Sequence, residues 1–285
     1  MKVLVTGAQG ALGQDVREVF TAKGHVVIAL DREGLDITVR ESVIKLVTEL
    51  KPDVIVNCAA YNAVDRAEEP EQYPIAYAIN ALGPQYLAAA AKSIEAVFVH
   101  ISTDCVFDGQ KLEGYVEDDT RHPISRYGES KAAGEELVEA ENGHYYIVRT
   151  ARLFGKPAVS ADAKESFVTT MLRLAKTKPE LSIIDEEVGC PTYTADLANG
   201  IYALVLEKYP YGIYHLVNAG VGVTWFAFAE EVFKLNNVVT PRQPVPASAF
   251  PKPAARPKFS VLKNTKFPDL RLRVEALKDF LDSQR

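Results

Sequence analysis

Tyr127 and Lys131, in the run Tyr127-Gly128-Glu129-Ser130-Lys131, are the pair in this chain best suited to chemistry. Positions i and i+4 share one face of a helix, so phenol and ammonium would point the same way. Reduction of a carbonyl needs an acid that protonates the oxygen as hydride reaches the carbon. A free phenol titrates near about 10, too high for easy transfer at neutrality. A nearby ammonium stabilises the phenolate and lowers that value. The same ammonium can hold the ribose of a nicotinamide cofactor. A third group should steady the carbonyl oxygen. The run His100-Ile101-Ser102-Thr103-Asp104 offers hydroxyls at the C-terminal end of a strand, where open α/β sheets bind ligands. Thr103 is the first choice for that role and Ser102 the second.

A glycine-rich turn supplies the second half of such a site. Gly7, Gly10 and Gly13 follow the first apolar run with the spacing G-x-x-G-x-x-G, and a helical pattern starts at once. Gly7 would make the tight turn, Gly10 would let backbone approach a pyrophosphate, and Gly13 would let the helix pack on the sheet. Gln9, Ala11 and Leu12 belong to the same phosphate-facing turn, where a helix N-terminus favours anions. Asp31 ends the second strand-like run, where an acidic residue binds the adenosine ribose of NAD. The adjacent Arg32 could instead pair with the 2′-phosphate of NADP. The two cues conflict and leave NADPH and NADH both open. Asp36 and Ile37 come soon after and could edge the adenine pocket.

The elements that must position these groups are legible as alternating patterns. Strand-like runs lie at 2–6, 25–30, 53–57, 97–101 and 145–149, and helical periodicity at 11–23, 39–50, 71–93 and 126–141. This alternation predicts right-handed βαβ units and a parallel sheet covered on both faces. The expected fold is therefore α/β, a doubly wound (Rossmann) parallel sheet in residues 1–152. A smaller C-terminal, mainly substrate-binding domain would occupy 153–285, with the chain free to cross back to the first. There, 164–178 and 195–207 read as helices, 212–217 as a strand, and Thr224 as the cap of a helix through Asn236. A proline-dense stretch from Pro241 to Pro257 reads as an extended loop laid over the body.

Bulk properties exclude other classes. The 285 residues are 47% hydrophobic and 25% charged, as in ordinary globular proteins. A net charge of −6 opposes a duplex nucleic-acid partner. No apolar run reaches the roughly 18 residues of a membrane span, and the N-terminus enters a strand without a leader pattern. Three widely spaced cysteines, Cys58, Cys105 and Cys190, suggest reduced thiols in the cytoplasm. The histidines show no metal-binding spacing, so no metal is expected.

Taken together, these residues resemble the extended short-chain dehydrogenase/reductase superfamily. Within it the chain is similar to the dTDP-4-dehydrorhamnose reductase family along almost its whole length. The matching stretches include Lys51-Pro52-Asp53-Val54-Ile55-Val56-Asn57-Cys58-Ala59-Ala60-Tyr61, Ala63-Val64-Asp65-Arg66-Ala67-Glu68 and Ser102-Thr103-Asp104-Cys105-Val106-Phe107-Asp108-Gly109. Gly189-Cys190-Pro191-Thr192, Gly212-Ile213-Tyr214-His215-Leu216-Val217 and Ala255-Arg256-Pro257 extend the match. The resemblance implies a catalytic set of Thr103, Tyr127 and Lys131. It implies a cofactor cleft lined by Ala59, Ala60, Tyr61 and Asn80 besides the glycine turn. It places Val64 and Asp65 beside the sugar, and Arg256 at the nucleotide part of a nucleotide-sugar substrate. The implied reaction is NAD(P)H-dependent reduction of the 4-keto group of a dTDP-linked 6-deoxysugar, forming dTDP-L-rhamnose, by a monomer or homodimer.

Three positions depart from the family pattern, and all bear on the substrate pocket, to which Asp104 is also assigned. Arg152 stands where an aromatic floor for the sugar is expected, Cys105 replaces another aromatic, and Phe259 replaces an asparagine. These departures keep alternatives in view: a reductase or epimerase of another nucleotide sugar, or a non-catalytic regulatory subunit like the β subunit of methionine adenosyltransferase. The intact Thr/Tyr/Lys set argues against the latter, since a binding role needs no proton donor. His100 reads as a buried structural residue, Glu186-Glu187 as a solvated acidic loop, and Trp225, Phe226, Phe228 and Phe233 as core.

Overall fold

A computed structural model describes residues 1–141, 143–159 and 165–284. In its first half the elements alternate: β1 (Lys2–Thr6), α1 (Ala11–Ala22), β2 (Val26–Leu30), α2 (Arg40–Leu50), β3 (Val54–Asn57), α3 (Tyr73–Tyr77), α4 (Gly83–Ser93), β4 (Val97–Thr103), α5 (Arg126–Glu141) and β5 (Tyr145–Thr150). The second half runs β6 (Leu153–Phe154), α6 (Phe167–Thr177), β7 (Leu181–Ile184), β8 (Val188–Gly189), β9 (Thr192–Tyr193), α7 (Thr194–Leu206) and β10 (Gly212–His215). It closes with β11 (Asn218–Ala219), β12 (Val223–Thr224), α8 (Trp225–Leu235), β13 (Arg242–Val245), β14 (Leu270–Leu272) and α9 (Arg273–Ser283).

The central sheet is parallel throughout, in the order β10-β5-β4-β3-β1-β2. Strand side chains alternate between two apolar layers, as the period of two requires. Val3, Val5, Val56 and Val99 meet α1 and α7 through Leu12, Val16, Leu197 and Ile201. Leu4, Ile55, Phe98 and Ile147 face the opposite way, against Val43, Leu87 and Val138 of α2, α4 and α5. β10 and α7 come from the second half of the sequence, so the chain returns to complete the first layer system. A separate cluster, with Val168, Ile183, Phe228, Phe233, Leu277 and Phe280, unites α6, β7, α8 and α9.

Two expectations change in detail. The helix expected over 71–93 is broken into α3 and α4 by a wider π-type turn at Ala78–Leu82. Pro84 has no N–H to give the carbonyl of Asn80, so regular α bonding fails there. The proline-dense stretch is not all loop: β13 pairs in parallel with β7. Pro244 is accommodated because this is a two-stranded ribbon with an open edge. The later part of that stretch does lie over the body, Lys252 pairing with Glu187 and Arg256 with Asp65, and the chain just beyond it bridges Val188 to Phe259 and Tyr115 to Leu262. α6 starts at Phe167 with Ser166 as its cap; Lys164 lies outside the described residues. Thr224 caps α8, accepting from the Ala227 N–H at 3.0 Å.

Candidate active site

Thr103 is the last residue of β4, in the middle of the sheet, and α5 begins beside it. The approach is close because Gly128 has no side chain: a Cβ there would sit 2.4 Å from the Cys105 carbonyl oxygen. That contact sets the first turn of α5 against the end of β4 and carries the Tyr127 phenol to the Thr103 hydroxyl and the Cys105 thiol. Tyr127 is buried, packed with Ala67 and Ala76 and flanked by Tyr61, Val64 and Cys105. Thr103 is fixed from two sides, donating to Asp104 Oδ1 at 3.0 Å and accepting the Cys105 N–H at 3.2 Å. Ser260, from the loop laid over the body, donates to Asp104 Oδ2 at 2.5 Å. Burial still raises the Asp104 carboxyl above its ordinary range, with the Ser260 bond opposing it. Ser102 alternates to the other side, against Glu135, so Thr103 is the hydroxyl at the phenol.

Lys131 is one turn beyond Tyr127 and almost fully buried. Its Nζ donates to the Ile101 carbonyl at 2.6 Å and faces His100 Nε2 at 3.4 Å. Burial lowers the ammonium to about 8. The electrostatics therefore differ from the expectation of an ammonium lowering the phenol. Burial raises the Tyr127 phenol, the neighbouring Cys105 adds to that, and the Thr103 hydroxyl pulls it back.

The glycine turn lies two strands along from β4, at the same end of the sheet. Gly7 has φ +64°, and a Cβ on it would fall 2.6 Å from the Ala59 nitrogen, so the loop after β3 can lie directly on the turn. Gly10 precedes α1 as its cap residue and offers no side chain to the first-turn N–H groups, which include those of Ala11 and Leu12. Gly13 packs under the Gly7 carbonyl. An uncapped helix N-terminus behind a glycine turn fits a pyrophosphate. The turn is braced by Asp31, whose Oδ2 accepts the Gln9 N–H at 3.0 Å. Arg32 is 85% exposed and reaches only Asp36, at 3.7 Å. Asp36 is itself held below the usual carboxylate range by bonds from Thr38. Ile37 is buried in the sheet–helix core beside Gly83, so its side chain is not free for a ligand.

Other candidates occupy definite places. Ala59, Ala60 and Tyr61 form the loop after β3. Asn80 is wholly buried and ties that loop down, bonding both the N–H and the carbonyl of Tyr61 and the Ser130 hydroxyl. Asp65 and Arg256, 191 residues apart, form an ion pair at 2.8 Å. Arg152 adopts a left-handed conformation, φ 48°. Its guanidinium bonds the carbonyls of Val223 and Glu187 at 2.9 and 2.8 Å and lies 4.0 Å above the Trp225 ring. Trp225 is thus half-buried, packed against the core cluster of α6, β7, α8 and α9 and resting on Arg152. The two line a cavity of about 240 Å³ together with Ala11, Lys156 and Phe167. A larger open groove, with Asp196, Phe267 and Arg271, shares no residue with this set.

Glu187 corrects the solvated-loop expectation. It is buried, accepting from Trp225 Nε1 at 2.9 Å and Lys252 Nζ at 3.1 Å. Sequence reasoning also missed the buried pair behind the site, Glu135 on α5 with Arg149 on β5. An arginine inside an otherwise apolar strand run was the available signal, because such a charge must find a partner.

Comparison with known proteins gives a consistent result. The family described as RmlD substrate binding domain matches residues 1–283. A dTDP-4-dehydrorhamnose reductase of Streptomyces griseus is 41% identical, over 93% of this chain and 86% of its own length. The crystal structure of a dTDP-4-dehydrorhamnose reductase from Clostridium acetobutylicum ATCC 824 matches with a TM-score of 0.93 at 44% identity, covering 100% of this chain and 99% of that one. A dTDP-4-dehydrorhamnose reductase from Bacillus anthracis, solved in complex with NADP, matches with a TM-score of 0.92 at 38% identity, with 99% of each chain covered.

Proposed function

We propose that this chain, which belongs to the dTDP-4-dehydrorhamnose reductase family, uses NADPH to reduce the 4-keto group of a dTDP-linked 6-deoxysugar. The observation that carries the reading is the meeting of the Tyr127 phenol and the Thr103 hydroxyl, at the sheet end that also bears the glycine turn. Residues 1–152 supply the cofactor half and 153–285 most of the substrate half, with α7 and β10 returning to the first.

The glycine turn and the loop Ala59–Tyr61 would hold NADPH, which when bound would supply a hydride for the carbonyl carbon. Tyr127 gives its proton to the carbonyl oxygen, and Thr103, fixed by Asp104 and the Cys105 N–H, steadies that oxygen. Burial of the phenol keeps the proton in place until the oxygen becomes basic and keeps bulk water out. The N–H groups at the start of α1 bind the cofactor pyrophosphate, and Ala59, Ala60 and Tyr61 form the cleft wall. Asp31 is engaged by the Gln9 N–H while the exposed Arg32 makes only a long pair with Asp36, an arrangement that favours a 2′-phosphate and so NADPH over NADH. On the substrate side, Arg256 can exchange the Asp65 carboxylate for the substrate diphosphate, and Val64 and Cys105 border the sugar. Arg152 holds the Trp225 ring as a wall of the adjoining cavity.

No helix among the described residues is long and apolar enough to cross a membrane. The unpaired cysteines support action in the cytoplasm. The test is NADPH oxidation with dTDP-4-keto-6-deoxy-L-mannose. Tyr127→Phe should lower kcat by about 10²–10⁴-fold, the usual contribution of a positioned acid. Equal rates in the two proteins would refute the assignment.

A further inference from the structure

Behind the site, four buried polar side chains cross three strands in a line. Thr6 Oγ1 donates to Asn57 Oδ1 at 2.7 Å, and Asn57 Nδ2 lies 3.1 Å from His100 Nδ1. His100 Nε2 then lies 3.4 Å from Lys131 Nζ. Thr6, Asn57, His100 and Lys131 are each at most 2% exposed, so no solvent can stand in for a missing partner.

The direction of this chain is fixed at its near end. The Ala59 N–H, which can only donate, points at Asn57 Oδ1 from 3.2 Å. The atom it meets must therefore be the amide oxygen, and the amide NH2 must face His100. That NH2 is also only a donor, so His100 Nδ1 must carry the lone pair. In a neutral ring the proton then sits on Nε2, aimed at Lys131. An ammonium has no lone pair to accept it, whereas a neutral amine has one.

We propose that His100, with its tautomer set by Asn57, is a positioning residue that donates its Nε2–H to the neutral amine of Lys131 and thereby sets the proton affinity of the lysine paired with Tyr127. Two further observations agree. Burial, reinforced by Lys131, holds the His100 ring well below its ordinary value, so it stays neutral. Lys131 is itself lowered to about 8, by burial, against the opposing pull of Glu135 one turn along α5 and Cys58 after β3. Tyr127 lies one turn back on the same helix, and the Phe98 ring stacks on His100. To act as a cation beside the phenolate, Lys131 must release His100 while keeping an acceptor such as the Ile101 carbonyl. The histidine thus opposes the charged form and draws the lysine's titration toward neutrality.

The inference rests on the reductase reading for its consequence, but its test does not need turnover. Nitrogen NMR of ¹⁵N-labelled protein above about pH 8, where Lys131 is the neutral amine, should find His100 as the Nε2–H tautomer. A ring protonated at Nδ1 would overturn the proposal. In H100Q, an amide carbonyl can accept from the ammonium, so the Lys131 midpoint, followed at its ε-carbon, should rise by about one pH unit. The alkaline limb of kcat should move with it while the KM for NADPH stays put. An unchanged lysine midpoint would sink the idea. If H100Q does not fold, the wild-type tautomer decides alone. A correct tautomer and midpoint shift with no turnover on any nucleotide sugar would leave this inference standing and refute the reductase reading instead.

Discussion

Replacing Glu135 by Gln tests how the strand β5 supports the helix α5 that carries Tyr127 and Lys131. Glu135 and Arg149 are 0% and 1% exposed, with Nη2–Oε2 at 2.7 Å and Nε–Oε1 at 2.9 Å. Arg121 adds a third contact to the same carboxylate at 2.5 Å. Glu135→Gln keeps the shape but leaves the Arg149 charge buried without a counter-ion. Breaking one partner of such a pair costs about 3–5 kcal/mol. For a chain of 285 residues, unfolding entropy is roughly 0.6 kcal/mol per degree, so Tm should fall by about 5–8 °C. Calorimetry at neutral pH reads this directly. The double variant E135Q/R149M removes both charges and should recover most of the loss, because an uncharged filling of similar volume is nearly neutral. The pH dependence has a definite sign. Burial pushes the Glu135 carboxyl up, but Arg149 and Arg121 outweigh it and hold it below its ordinary value. Its contribution is thus complete above the unfolded value of about 4.3 and is lost as pH falls through the lower folded value. The reasoning fails if E135Q melts within a degree of wild type, or if the double variant is less stable than the single one.

Three other outcomes follow from the geometry. Arg32→Ala should raise the KM for NADPH about tenfold and leave that for NADH unchanged, since a charge-assisted bond to the 2′-phosphate would be lost; equal effects on both cofactors would reject Arg32 as the selector. Gly128→Ala forces a Cβ against the Cys105 carbonyl, so α5 must shift; steady-state kinetics should find kcat down about 10²-fold with near-normal thermal stability, the cost of a misplacement near 1 Å. Arg152→Ala removes the guanidinium under Trp225 and should raise the KM for the sugar nucleotide about tenfold without changing that for NADPH. An unaltered sugar-nucleotide KM would place Arg152 outside the substrate pocket.

Local physics made much of this protein legible from its sequence. A doubly buried parallel sheet needs near-continuous apolar runs, and those at Lys2–Thr6, Val54–Asn57 and Val97–Thr103 appear as strands within a residue or two of expectation. Glycine spacing after β1 and the i, i+4 placement of Tyr127 and Lys131 are local too, because turn sterics and helix period act over a few residues. Tertiary structure alone decided the rest. The Asp65–Arg256 pair joins segments 191 residues apart, and Glu187 finds Trp225 and Lys252 only once two loops meet. Lys131 faces His100 instead of simply serving the phenol, because the depth of burial and the direction of each donor are set by which strands become neighbours. Neither quantity is written in the spacing of residues along one element, since each depends on the low-dielectric surroundings that distant parts of the chain supply.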